Sequence, residues 1–180
     1  MSYYKKYKDA KLDSSIPLNW DISWYLWGEV GIGKTHNAFA FIIATNKKLR
    51  EQQEIDEVEF KFYEYPFITF VNWADICNKL RNAPLEADIF TEDTRRDIEY
   101  KILHKDRLVI DDLGSEKRSD YTDDFLMRLT EHRYSNDLYT GFTSNNNVPE
   151  LGYDKRIISR IAGIVERNKF RLSGKDRRIK

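Results

Sequence analysis

Cysteine is almost missing from this chain of 180 residues: Cys77 stands alone, so no internal disulfide can form. Its apolar neighbours Ile76 and Leu80 mark the thiol as core filler rather than a nucleophile. No run of about 18 apolar residues occurs, which excludes an ordinary membrane-spanning helix. The chain opens Met1-Ser2-Tyr3-Tyr4-Lys5-Lys6, without the apolar segment of a secretion signal. A soluble, cytoplasmic protein with no membrane partner is therefore expected. The three histidines, His36, His104 and His132, lie far apart with no cysteine cluster beside them, so no zinc site is expected. Net charge is absent too, 30 Lys and Arg balancing 30 Asp and Glu.

That balance hides segregation. Glu51 to Tyr65 carries six acids against Lys61, whereas Lys155 to Lys180 carries ten basic residues against Glu166 and Asp176. A basic end of this kind suits an anionic partner such as nucleic acid, nucleotide phosphates or an acidic neighbouring subunit, or else a solvated tail. With 41% hydrophobic residues, the chain holds enough apolar side chain for one good core. Residues 1–20, rich in Lys and Tyr, read as an amino-terminal arm, and 21–180 as a single domain.

The most specific signal is Gly28-Glu29-Val30-Gly31-Ile32-Gly33-Lys34-Thr35, which fits the phosphate-binding pattern G-x-x-x-x-G-K-[ST]. Ile22 to Trp27 before it reads as a buried strand, and Thr35 to Leu49 after it as a helix. Glycines let successive backbone N–H groups turn inward around phosphates, and the helix N-terminus adds its positive end. All eight residues are therefore candidate ATP contacts, with Lys34 reaching the β- and γ-phosphates and the Thr35 hydroxyl ligating Mg²⁺. His36 follows in the first helical turn, near the nucleotide or in a structural role.

A second apolar strand, Leu108-Val109-Ile110, runs straight into Asp111-Asp112 and Gly114. Acids at the C-terminal edge of such a strand share the rim where a phosphate loop lies. Asp111 is the candidate Mg²⁺ ligand and Asp112 the group that polarises the attacking water. A third strand, Leu138 to Thr143, leads into Ser144-Asn145-Asn146-Asn147, from which Asn145 is the best candidate to meet the γ-phosphate or the water.

Between these lie a strand at Phe67 to Val71, a helix from about Trp73 to Arg81 stopped by Asn82-Ala83-Pro84, a helix from Thr94 to His104 and another from Tyr121 to Tyr134. The charged stretch from Glu51 to Glu64 reads as a connection. A helix around Arg156 to Ile161 and a last strand near Ile164 to Val165 or Phe170 to Leu172 close the chain. Strands alternating with helices predict an α/β fold, a three-layer αβα sandwich on a parallel sheet, of the P-loop NTPase kind. Trp20, Trp24, Trp27 and Trp73 suit either the core or base stacking. Arg133 is expected to complement a helix end.

Taken together, Gly28 to Thr35 followed by His36, Leu108 to Gly114, Arg133-Tyr134 leading to Thr143-Ser144-Asn145, and Arg156-Ile157-Ile158-Ser159-Arg160 resemble the AAA+ ATPases of the DnaC/IstB type, most of all bacterial and phage replicative-helicase loaders. The resemblance runs from about Trp20 to the end. It implies an AAA+ core without a helical lid, weak ATP hydrolysis by an isolated subunit, and a role in DNA replication. It also implies a DnaB-like helicase and single-stranded DNA as partners, and a homo-oligomer closed through Arg160. By resemblance Asn145 takes the sensor-1 position, Arg160 the arginine-finger position with Arg156 as second candidate, and Arg177 a sensor-2-like position. Asp112 stands where many AAA+ proteins carry glutamate. Only about twenty residues precede the core, where helicase loaders usually carry a separate helicase-binding domain. A transposition helper of IstB type and a nucleotide-dependent binding module with little turnover are the alternatives.

Overall fold

The computed structural model describes residues 6–13, 16, 21–53, 68–85 and 93–176. Five strands, β1 (Trp24–Trp27), β2 (Thr69–Asn72), β3 (Leu108–Leu113), β4 (Thr140–Ser144) and β5 (Lys169–Arg171), form one sheet in the order β2-β3-β4-β1-β5. Every neighbouring pair is parallel. The connecting helices are α1 (Lys34–Gln53), α2 (Trp73–Asn82), α3 (Arg95–Leu103), α4 (Asp120–Ser135) and α5 (Lys155–Val165).

Side-chain alternation along the strands builds two cores. Trp24 and Leu26 of β1 and Val109 of β3 face α1, joining Ala38, Phe41 and Ile42. Tyr25 of β1, Ile110 of β3 and Phe142 of β4 face the other way, into a larger cluster with Trp73, Leu80, Phe125, Leu129, Ile157 and Ile161. Helices thus cover both faces of the sheet, as a buried parallel sheet requires. Trp24 is buried and donates from Nε1 to the Tyr139 hydroxyl at 2.5 Å. Trp73 is buried and stacks on Phe125 with ring centroids 6.0 Å apart. These two indoles are core, not base-stacking surface. Trp20 lies outside the described residues.

Local sequence explains most boundaries. Thr94 and Asp97 form a capping box at the start of α3, Ser119 and Thr122 one at the start of α4, and Asp154 caps α5. Each satisfies backbone N–H groups that the first turn leaves open. The expected helix around Arg156 to Ile161 is longer, Lys155–Val165, because Asp154 starts it one residue early and apolar residues recur on its buried face. Of the two places considered for the last strand, the chain uses Lys169–Arg171. The expected connection from Glu51 begins as helix through Gln53, and its remainder lies outside the described residues. No described helix is long and apolar enough to cross a membrane. Cys77 is buried, and burial pushes its thiol up to about 12.

Arg133 corrects the sequence reading. It does not decorate a helix end: it is 1% exposed. Its guanidinium donates to Thr140 Oγ1 at 2.6 Å and to the carbonyls of Lys105 at 2.7 Å, Asp106 at 3.3 Å and Tyr139 at 2.6 Å. Burial lowers its pKa to about 10. The rigid fork of guanidinium donors fits these loop carbonyls, which lead into β3 and β4, as an ammonium would not. Arg133→Met keeps the stem and leaves several buried acceptors without donors. It should lower unfolding free energy in urea by about 3 kcal/mol, and a loss under about 1 kcal/mol would contradict this role.

Candidate nucleotide site

The phosphate loop is the turn from β1 into α1, and α1 begins at Lys34 itself. Gly28, Gly31 and Gly33 all have positive φ, at 145°, 83° and 98°, conformations that a residue with Cβ adopts at a cost. Gly28 and Gly31 are also crowded from outside: a Cβ at Gly28 would fall 2.4 Å from the Leu172 carbonyl oxygen, and one at Gly31 2.0 Å from Asp176 Oδ1. The Asn37 N–H closes the first turn of α1 onto Gly33 O at 3.0 Å.

Lys34 is 7% exposed. Its ammonium donates to Gly28 O at 2.8 Å, Glu29 O at 2.7 Å and Asn145 Oδ1 at 2.8 Å. Asn145 thus meets the loop lysine across the sheet edge, as its place at the end of β4 predicts. Thr35 Oγ1 lies 3.1 Å from both oxygens of Asp111. The loop residue and the strand residue expected to share a metal are in contact.

Asp111 is 1% exposed. It accepts from Thr143 Oγ1 at 2.6 Å and from the Asn72 side chain. Burial raises its pKa to about 6 against the opposing pull of those hydrogen bonds and of Thr35; nearby Asp112 raises it further. Asp112 has a different setting. Ile110 pairs with Phe142 but Leu113 with Ser144, so β3 carries one extra residue here. This bulge coincides with positive φ at Asp112, 60°, and bulges commonly re-aim side chains beside active sites. The Asp112 N–H is held by Thr143 Oγ1 at 2.9 Å. Its half-buried side chain borders a cavity of about 380 Å³ shared with Gly31, Lys34, Thr35 and Asn145.

The buried carboxylate, the neighbouring hydroxyl and a roomy, polar cavity suit a hard divalent cation that retains waters and completes its shell with phosphate oxygens. Lys34, Thr35, Asp111, Asp112 and Asn145 are therefore assembled at one rim. Val30, at the loop's tip, is exposed, whereas Ile32 is buried beneath the loop. Glu29 offers its carbonyl to Lys34. His36 Nε2 lies 3.1 Å from Lys11 O, and its ring meets Tyr7 edge-on. His36 thus ties the amino-terminal arm to α1 while bordering the same cavity.

The arginines stand elsewhere. Arg160 Nε pairs with the Glu131 carboxylate, and its guanidinium lies 4.9 Å from the Tyr134 ring centre. With Arg156, Lys155, Arg128 and His132 it lines a separate hollow of about 720 Å³ between α4 and α5. Arg156 is exposed and pairs with Asp154. Arg177 lies outside the described residues.

Comparison with protein-family profiles finds no match, and comparison with curated proteins finds none either. Solved structures do match. The crystal structure of the DnaC helicase loader is similar over 94% of this chain and 99% of that one, with 22% identity and TM-score 0.62. DnaI is similar over 87% of this chain and 72% of that one, with 22% identity and TM-score 0.59. The chain shares the fold of these structures, helices on both faces of a five-stranded parallel sheet. The replication initiator DnaA bound to AMPPCP and single-stranded DNA matches 86% of this chain at 15% identity and TM-score 0.59; there the chain spans only 41% of the other's length.

Four contributors to this site were not singled out from sequence. Thr143 bridges the two aspartates through one hydroxyl. Asn72 pairs in register with Asp111, so an amide at the end of β2 was the available signal. Lys6 and Tyr7 of the arm border the cavity, with Tyr7 stacked on Phe39 at 5.1 Å between ring centres, which no spacing rule reveals.

Because Asp111 has a raised pKa in the folded protein, its neutral form is the favoured one. The stability it allows is fully present below about pH 4 and is lost as pH rises through about 6. Asp111→Asn in the nucleotide-free protein should therefore gain stability over wild type by about 2 kcal/mol more at pH 8 than at pH 4. Thermal unfolding at both pH values measures this, and a pH-independent difference would contradict it.

Proposed function

We propose that this chain binds ATP with Mg²⁺, hydrolyses it weakly as an isolated subunit, and acts as a replicative-helicase loader in DNA replication. The observation that carries the reading is the Thr35 hydroxyl resting on buried Asp111 while Lys34 reaches Asn145. Thr35 and Asp111 would hold the magnesium ion, which when bound neutralises charge on the β- and γ-phosphate oxygens.

The other residues then divide the work. Lys34 exchanges its carbonyl partners for phosphate oxygens. Asn145 orients the γ-phosphate or the attacking water. Asp112, on the bulge, takes the proton as water oxygen bonds to the γ-phosphorus and the bridging bond to ADP breaks. Among the described residues no arginine borders this cavity, which supports a slow subunit completed by Arg160 of a neighbouring copy. Glu131 and Tyr134 hold Arg160 on the opposite helix pair.

The loader role draws on the resemblance and on the fold shared with DnaC and DnaI, and single-stranded DNA as ligand on the basic carboxyl-terminal end and the DnaA complex. The reading as a binding module with little turnover is favoured by one feature: Arg160 is already engaged by Glu131. A helper ATPase of IstB type differs in its partner, a transposase on duplex DNA.

Calorimetry should show MgATP binding that Lys34→Ala weakens about 10- to 100-fold; equal binding by both would overturn the nucleotide reading. Asp112→Asn should bind within about threefold of wild type yet lose at least about 100-fold in turnover. Arg160→Ala should spare binding to the single subunit and cut turnover of the assembled protein by about 10³. If Asp112→Asn leaves turnover unchanged, Asp112 does not activate water. Replicative helicase should be retained by the immobilised chain in the presence of ATP. Failure with and without ATP would sink the loader role and leave the ATPase reading standing.

A further inference from the structure

We propose that Tyr134 is a positioning residue of the intersubunit site: its ring, seated against Gly163, holds the Arg160 guanidinium so that the two terminal nitrogens face the phosphates of a neighbouring copy's nucleotide. This rests on the reading of Arg160 given above.

Residues about one turn apart on two packed helices build the support. Glu131 and Tyr134 stand three residues apart on α4, and Arg160 and Gly163 at the same spacing on α5, so each pair shares a helix face. The Arg160 guanidinium carbon lies 4.9 Å from the Tyr134 ring centre, while Nε donates to the Glu131 carboxylate. Ring and carboxylate thus take the face and one edge of a planar group. Among the described residues neither terminal nitrogen of Arg160 has a hydrogen-bond partner. The part of the fork that suits a phosphate is open.

The ring can stand there because of its other neighbour. A Cβ at Gly163 would lie 2.6 Å from Tyr134 Cε2, so any other residue at 163 pushes the ring away. A helix interior disfavours glycine, and this close approach accounts for it here. Buried Arg133, bonded to the carbonyls of Lys105 and Tyr139, fixes the end of α4 from which Tyr134 projects. Tyr134 itself is exposed. Among the described residues Glu131 is the one carboxylate lining the hollow that Arg160 shares with Arg128, Lys155 and Arg156. A phosphate arriving from another copy therefore meets a cationic surface with one guanidinium already aimed.

The test is steady-state ATP turnover of the assembled protein, paired with MgATP calorimetry of each single subunit. Tyr134→Phe keeps the ring and should turn over within about twofold of wild type, whereas Tyr134→Leu should lose about tenfold in kcat. Gly163→Ala, which displaces the ring, should lose turnover in the same direction. Kd should be unchanged in all three, because the phosphate loop lies elsewhere. Mixing Tyr134→Leu with Lys34→Ala copies should restore turnover, since the second copy lends an intact Arg160 to nucleotide held by the first. A defect confined to the folding of one subunit is not rescued in this way. Equal losses in Tyr134→Phe and Tyr134→Leu, undiminished turnover in Tyr134→Leu or Gly163→Ala, or no gain on mixing overturns the positioning role alone. Full turnover by Arg160→Ala overturns the intersubunit arginine, and the role of Tyr134 with it.

Discussion

A carboxylate taken out of water must be given partners, and Asp111 receives them from three elements. Thr35 comes from α1, Thr143 from β4 and Asn72 from the end of β2, around an acid on β3. The remaining desolvation shows in its raised pKa. Burying a charge this well is costly without a counter-charge, so the nucleotide-free molecule holds in reserve an electrostatic debt that a divalent cation would relieve. The Thr35 contact also sets the start of α1 against the sheet edge, which places the glycine loop above the same rim.

The neighbouring acid shows how one extra residue separates two roles. Asp111 follows the strand and points into the buried cluster. Asp112 sits on the bulge with positive φ, and its side chain is half-buried at the cavity instead. A single Thr143 hydroxyl donates to the first carboxylate and accepts from the backbone of the second residue. Adjacent identical side chains thereby acquire different surroundings, the arrangement by which proteins assign different tasks to like groups.

Much of this was legible in the sequence because the signals are local. The loop glycines, the apolar run ending in Asp111-Asp112 and the strand ending at Asn145 each declare a position along the chain, and parallel topology then brings their ends to one edge. Thr94, Ser119 and Asp154 cap helix starts in the same local way, though the apolar spacing alone puts two of those starts one residue later, at Tyr121 and Arg156. What escaped depends on three-dimensional neighbours. Arg133 reads as a helix-end cation until the loop carbonyls of Lys105 and Tyr139 close around it. Thr143 reads as an ordinary strand threonine until the bulge brings Asp112 N–H to it. Asp176 reads as one acid in a basic tail, and only the path of the chain after β5 sets it over Gly31.

Among the described residues, Lys34 at the loop stands apart from the Arg128, Arg156 and Arg160 group on α4 and α5. Such a division suits a site whose phosphate grip and whose finger belong to different copies. The most direct test of the central claim is a crystal structure of the chain with Mg²⁺ and a non-hydrolysable ATP analogue. The account predicts the Lys34 ammonium moved from Gly28 O and Glu29 O onto the phosphates, with metal bound to Thr35 Oγ1 beside Asp111. A loop left empty with Lys34 still on its carbonyls, or a nucleotide bound away from Thr35 and Asp111, would contradict it.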